Sequence, residues 1–191
     1  MERVWQRLRH APEQALHPVR RRRAVEENRG RIPEAVLFVC QGNMCRSPFA
    51  AGLFEMIAAT TLPTQPSVAS AGFSGPGRGA PSQAIAAAAE RGVDLSSHIS
   101  HLVTSRAVRS GALVVTMSAD QARLVRRVAN RPIWAVVLGD FDPDPITTRT
   151  ILDPWGGTAE TFEESYSRID RCIRQLLLTM ADNSNPIHLP V

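Results

Sequence analysis

The sequence predicts an α/β fold, a parallel sheet with helices on both faces, and three observations carry that expectation. Short apolar runs alternate with helical patterns along the chain, which is the signature of strand–helix–strand units. The run Ala35-Val-Leu-Phe-Val39 is continuously apolar, as a strand covered on both faces requires. Hydrophobic residues make up 43% of the 191 residues and charged residues 21%, enough apolar side chain for one packed core and a composition unlike that of a disordered chain.

Taken in order, residues 1–33 are broken by Pro12, Pro18 and the Arg20–Arg23 run, and only Val4, Trp5 and Leu8 suggest a helical turn, so this stretch reads as an Arg-rich extension. The domain then runs over 34–182, with 183–191 as a C-terminal tail. Strand 35–39 leads through an eight-residue loop to a helix with Pro48 at its first position, followed by Phe49-Ala-Ala-Gly-Leu-Phe-Glu-Met-Ile-Ala. Ser67 to Ala71 is a second strand, followed by the loop Gly72-Phe-Ser-Gly-Pro-Gly-Arg-Gly79 and an Ala-rich helix stopped at Gly92. Ala112 to Met117 is a third strand, Ala119 to Val128 a helix, and Ile133 to Leu138 a fourth strand. A turn-rich stretch with three Asp-Pro steps precedes a last helix over 158–180, whose periodic face carries Phe162, Tyr166, Ile169, Cys172, Ile173 and Leu176.

Charge placement excludes several functions. The formal net charge is +4, yet residues 1–31 hold nine Arg and four Glu, which leaves the rest of the chain near neutrality and removes the reason to expect nucleic acid as a partner. The 22 basic residues are all arginine, so Schiff-base chemistry and a P-loop lysine are excluded. No apolar run approaches the roughly 20 residues of a membrane span. Three cysteines, an odd number, and no secretory leader suggest a reducing, cytoplasmic setting.

The chemistry concentrates in Cys40-Gln-Gly-Asn-Met-Cys-Arg-Ser-Pro48, at the carboxyl end of the first strand and opening a helix. A loop that wraps into a helix N-terminus points successive amides at one centre and holds an anion such as phosphate without a metal or cofactor. Arg46 adds a permanently charged fork for two phosphoryl oxygens, and Gly42 admits conformations closed to other residues. The same positive field favours the thiolate of Cys40, the nucleophilic form, and Ser47 can donate its hydroxyl to it.

These residues resemble the low-molecular-weight protein tyrosine phosphatase family over roughly 35–181. The Cys40–Pro48 segment is similar to its phosphate-binding loop, Asp153-Pro-Trp-Gly-Gly157 to its general-acid loop, Ser70-Ala-Gly72 to the segment after its second strand, and Gly92-Val-Asp-Leu-Ser-Ser-His98 to a stretch whose histidine buttresses the loop. The resemblance implies a flavodoxin-like three-layer sandwich with a four-stranded parallel sheet, and hydrolysis of phosphotyrosine through a phosphocysteine. Cys40, Arg46 and Asp153 are then the expected catalytic residues. Gln41, Gly42, Asn43, Met44, Cys45, Ser47 and Trp155 are expected to bind substrate phosphate or wall the pocket, with Ser70 and His98 in support. Asp153 is preferred as acid over Asp142 and Asp144 because an aromatic residue and two glycines follow it; Asp140, Asp142 and Asp144 themselves read as solvated turns.

Alternatives on the same scaffold are a protein arginine phosphatase, to which Gly156-Gly157 is similar although Met44 stands where that branch has a small polar residue, and an arsenate reductase, which needs more thiols than Cys45 and Cys172 supply. A phosphoprotein-binding module without turnover is the non-enzyme alternative. Cys45 is expected either to pack or to form a reversible disulfide with Cys40. The resemblance implies phosphotyrosine proteins as partners, a bacterial tyrosine kinase of polysaccharide export among them, and a monomer or weak dimer. Deleting 1–31 is expected to leave hydrolysis of a small aryl phosphate nearly unchanged.

Overall fold

The computed structural model describes residues 2–110 and 113–182, with the backbone alone over 2–12. Val4, Trp5 and Leu8 fall where no side chain is described, and the tail 183–191 and Ala112 lie outside the described residues.

Four strands, β1 (Ala35–Cys40), β2 (Ser67–Gly72), β3 (Leu113–Thr116) and β4 (Ala135–Val137), form one parallel sheet in the order β2-β1-β3-β4. The apolar run of β1 divides by the strand's two-residue period. Val36, Phe38 and Cys40 enter the larger core cluster, beneath α2 (Arg46–Thr61), α3 (Ser82–Ala89) and α6 (Ala159–Ala181). Leu37 and Val39 enter the smaller one with Val108 of α4 (Ser105–Arg109) and Val125 and Ala129 of α5 (Ala119–Ala129). Each face of the sheet is thus covered, and this places the carboxyl end of the central strand β1 at the phosphate-loop sequence. The short helix α4 has no counterpart among the sequence expectations.

Two boundary shifts bear on the loops at the carboxyl end of the sheet. Helix α2 starts at Arg46 instead of Pro48, which brings Arg46 and Ser47 into its first turn. The fourth strand stops at Val137, and Leu138–Phe141 tighten into a 3-10 turn.

The larger correction concerns the N-terminus. Glu2–Asn28 form one helix, α1, with Pro12 and Pro18 inside it. Only part of its stability is local, since the pairs Arg22–Glu26 (2.8 Å) and Arg23–Glu27 (2.6 Å) are solvent-exposed and water screens them. Tertiary contacts do the rest. Ala24, Val25 and Ile32 pack on the larger core cluster, Trp134 Nε1 donates to Asn28 Oδ1 (2.8 Å), the Gly30 amide donates to Thr179 O (3.0 Å), and Arg31 lies 4.0 Å over the Trp134 ring. Propensity read from the prolines and the arginine run misses this because burial against the domain overrides it.

The Asp-Pro stretch also departs from a solvated turn. Asp142 is fully buried, accepting from Arg168 Nε (2.9 Å) and Arg171 Nε (2.7 Å), and its carbonyl contacts His17 Nε2 at 3.0 Å. Asp140 is buried with a bidentate partner in Arg149 (2.7 and 2.5 Å). Arginines from α6 and from the following loop desolvate these carboxylates and satisfy them at once.

Candidate active site

The chain turns from β1 into α2 within residues 41–45, and hydrogen bonds from the surrounding segments hold that turn from behind. Asn43 is the pivot. Its φ of 51° lies in the left-handed region that Asn tolerates better than most residues. Its side chain is buried, donating from Nδ2 to Ser47 Oγ (2.9 Å) and Ser70 Oγ (2.8 Å) and accepting at Oδ1 from the His101 amide (2.7 Å). His98 Nε2 donates to the Asn43 carbonyl at 2.6 Å. The Gln41 carbonyl accepts from the Phe73 and Ser74 amides outside the loop (2.8 and 3.1 Å), while the Asn43 amide turns inward to the Cys40 sulfur. Gly72 closes the rear: a Cβ there would lie 2.7 Å from the Asn43 nitrogen and 2.9 Å from Gln41 O, so only glycine lets β2 approach so near.

Cys40 sits at the floor, buried, with its sulfur receiving the Asn43 amide at 3.2 Å and lying 3.0 Å from Ser47 Oγ. Because Ser47 already accepts from Asn43, its single hydrogen is available to Cys40 Sγ or to Ala71 O (3.3 Å). Cys45 is buried beside it. Burial, followed by the nearby Cys40 and Asp153, pushes its thiol up to about 12, so it stays protonated at neutral pH. The Tyr166 hydroxyl donates to the Cys45 carbonyl (3.1 Å), and its ring stacks on Phe49 with centroids 3.9 Å apart.

Arg46 is 4% exposed. Nη1 donates to Ile151 O (3.1 Å), Nη2 pairs with the Asp153 carboxylate, and Nε is buried with no hydrogen-bond partner among the described residues. A buried guanidinium nitrogen left unsatisfied carries a desolvation cost that an anion in the loop removes. The segment bearing Asp153 is held on its N-terminal side: the Ile151 amide donates to Met117 O (2.9 Å) and Ser165 Oγ to Leu152 O (3.0 Å). Gly156, at φ 74°, makes the turn that follows Trp155. Asp153 and Trp155 are partly to largely solvent-facing, as a group that meets a substrate must be.

These residues enclose a pocket of about 160 Å³, lined at the base by Cys40, Gly42, Cys45 and Arg46 and at the sides by Gln41, Met44, Asp153 and Trp155. Ser70, Ser47, Asn43 and His98 stand behind the loop. The pocket also has two walls that sequence reasoning passed over, Ser74 and Arg78, in the Gly/Pro-rich loop after β2. Arg78 is the one cation of that loop and folds onto it, donating to Gly75 O (2.8 Å) and Ser74 O (3.3 Å). Asp142 and Asp144 are outside the pocket; the first is buried in the arginine network and the second faces Arg171 (3.3 Å).

A buried cysteine sulfur that receives the Asn43 amide, a buried guanidinium and a carboxyl group paired with it line one pocket, the groups a cysteine-dependent phosphoryl transfer needs. The chain belongs to the low molecular weight phosphotyrosine protein phosphatase family, whose sequence model matches residues 35–185. It is 32% identical over 142 residues to the low molecular weight protein-tyrosine-phosphatase Wzb of Escherichia coli (strain K12), covering 73% of this chain and 90% of that one. It is 29% identical over 148 residues to a protein-arginine-phosphatase of Bacillus subtilis (strain 168), covering 74% and 93%. Among solved structures, the tyrosine phosphatase AmsI of Erwinia amylovora superposes with a TM-score of 0.68 at 25% identity, covering 78% of this chain and 94% of that one. A YwlE arginine phosphatase mutant with a phosphorylated active-site serine gives 0.67 at 26%, covering 78% and 97%. The family consists of cysteine-dependent phosphoric monoester hydrolases, and the four-stranded flavodoxin-like sheet expected from the sequence is the fold observed.

Proposed function

We propose that the protein hydrolyses phosphotyrosine in proteins through a phosphocysteine on Cys40. The observation that carries this reading is the convergence of Cys40 Sγ, the loop amides, Arg46 and Asp153 on one small pocket walled by Met44 and Trp155.

The phosphoryl group enters the loop with its oxygens on the inward amides and on the free Nε and Nη2 edge of Arg46, which releases Asp153 from its ion pair. The Cys40 thiolate attacks phosphorus as the P–O bond to the phenol breaks, and the Asp153 carboxylic acid transfers its proton to the departing oxygen. Water then attacks the thiophosphate, giving a proton to the Asp153 carboxylate as the S–P bond breaks, and inorganic phosphate leaves. The Ser47 hydroxyl, 3.0 Å from the sulfur, stabilises the returning thiolate. Anchoring through Nη1 to Ile151 O couples Arg46 to the acid segment, so phosphate binding and acid placement share one support.

The flat wall of Trp155 beside apolar Met44 favours an aryl ester over the guanidinium of a phosphoarginine, the second reading that Gly156-Gly157 and the 29% identity to an arginine phosphatase support. Residues 34–182 form the catalytic unit, suited to a reducing cytoplasm where Cys40, Cys45 and Cys172 remain thiols; among the described residues no helix is long and apolar enough to cross a membrane. Phosphotyrosine proteins are the partners, among them a bacterial tyrosine kinase of polysaccharide export.

Turnover of a phosphotyrosine peptide, a phosphoarginine peptide and arsenate by wild type and Cys40→Ser tests this. The phosphotyrosine peptide is expected to be the best substrate, and Cys40→Ser to be inactive on all. A better phosphoarginine rate overturns the substrate assignment, and an active Cys40→Ser overturns the mechanism.

A further inference from the structure

Away from the catalytic pocket, a groove of about 420 Å³ runs between α1 and α5 along the free side of β4. Five arginines line it, Arg20 and Arg23 from α1, Arg123 and Arg126 from α5, and Arg149 from the loop after the 3-10 turn, against two carboxylates, Glu27 and Asp140. Asp140 is committed to Arg149 by two bonds, and Glu27 to Arg23. The Arg23–Glu27 and Arg123–Asp120 pairs are surface pairs, with the arginine side chains 78% and 67% exposed, and such pairs exchange readily for a stronger anion. Arg20 Nη1 is buried without a hydrogen-bond partner among the described residues.

The floor of the groove is a sheet edge. The Val114 amide donates to Trp134 O (2.9 Å) and Thr116 Oγ1 to Val136 O (3.1 Å), so alternate residues of this strand face β3. Ala135, half-buried, and Val137, 4% exposed, therefore turn their amides away from β3 towards the groove. Arg126 Nη2 donates to Ala135 O at 2.9 Å, as that orientation requires. Among the described residues no side chain or backbone group accepts from those two amides across the edge. An edge with free donors, bounded on both sides by arginines, matches an extended chain that carries negative side chains.

We infer that this groove docks an extended acidic segment of the protein substrate, which pairs with Ala135–Val137 through its backbone and sets carboxylates or further phosphates against Arg23 and Arg123. The inference rests on the phosphoprotein reading above for the nature of the partner. It also gives α1, which precedes the matched family region, a role in choosing the substrate.

A fluorescent acidic peptide without phosphotyrosine is the probe, compared with an uncharged peptide of equal length, a copy N-methylated at alternate amides, and an RNA oligonucleotide. The full chain is expected to bind the acidic peptide in a salt-sensitive manner and the uncharged one far more weakly. Arg23→Glu with Arg123→Glu, both exposed and remote from Cys40, is expected to lower that affinity about tenfold or more while hydrolysis of a small aryl phosphate and the melting temperature stay at wild-type values. Equal binding by the double variant, equal binding of the uncharged peptide, or tighter binding of the RNA overturns the inference; indifference to N-methylation overturns the strand pairing. Peptide binding is read without turnover, so a wild type that fails to hydrolyse the aryl phosphate strikes the phosphatase reading and not the groove.

Discussion

Replacing Asn43 is the most informative perturbation of the loop, because this one side chain ties the turn to α2, to β2 and to the segment at residue 101. Asn43→Ala removes three hydrogen bonds to buried or half-buried partners, at 2.9, 2.8 and 2.7 Å. At about 1 kcal/mol each this is roughly 3 kcal/mol. Alanine is also held at a φ of 51°, where it costs about 1 kcal/mol more than a residue at ease there. The expected loss is about 4 kcal/mol, a large share of a total stability of about 5–15 kcal/mol. Asn43→Gly loses the same bonds without the steric strain and is expected to fall short of wild type by about 3 kcal/mol. Urea unfolding gives these differences, and steady-state hydrolysis of a small aryl phosphate gives their consequence, since a loop displaced by about 1 Å is expected to lose about 100-fold in rate. Stability within about 0.5 kcal/mol of wild type together with unchanged kcat would refute the hub assignment.

Other outcomes follow from particular contacts. Gly72→Ala drives a methyl group into the backbone of Gln41 and Asn43, with no flexible side chain to yield, so a loss of about 1–3 kcal/mol and most of the activity is expected by unfolding and rate assays. Asp142→Asn removes the fully buried charge that Arg168 and Arg171 share, leaving Arg171 with Asp144 at 3.3 Å, and is expected to destabilise by about 1–3 kcal/mol, while the folded fraction keeps its acid catalysis; loss of kcat at unchanged stability would move the acid role there. Alkali is expected to weaken the fold. In the unfolded chain the Cys45 thiol ionises near 9.0 and in the fold near about 12, so the unfolded state holds fewer protons as pH rises through that window and stability falls by up to about 4 kcal/mol. Burial raises Cys172 and Tyr166 in the same direction; Cys45→Ala should flatten the slope measured by urea unfolding from pH 8 to 11. Removing residues 1–31, for which the sequence predicts nearly unchanged hydrolysis of a small aryl phosphate, is expected to lower the melting temperature, because it strips Ala24 and Val25 from the core and breaks the Asn28–Trp134 bond; an unchanged melting curve would show that α1 contributes nothing.

The elements legible in the sequence are those where local pattern and tertiary role coincide. The β1 run is apolar on both faces because both faces are covered, and α6 shows its buried stripe in plain periodicity. The phosphate loop was legible because its chemistry lies in nine consecutive residues. What escaped depends on distant partners. Pro12 and Pro18 spoke against α1, which is held by Trp134 and Thr179, over a hundred residues away. The Asp-Pro turns looked solvated because their arginines are on α6. Arg78 joins the pocket only through the fold of its loop, and the support of the Cys45 carbonyl by Tyr166 spans 121 residues.

The central claim is a covalent phosphoryl group on Cys40, and rapid quenching of Asp153→Asn during turnover of an aryl phosphate tests it most directly. With an aryl phosphate whose phenol is acidic enough to leave without a proton, this variant still forms the adduct but lacks the base for the second step, so a peptide containing Cys40 should carry the mass of one phosphoryl group in near-stoichiometric amount, and Cys40→Ala/Asp153→Asn should carry none. Turnover with no phosphoryl adduct, or an adduct on any other residue, would contradict the account.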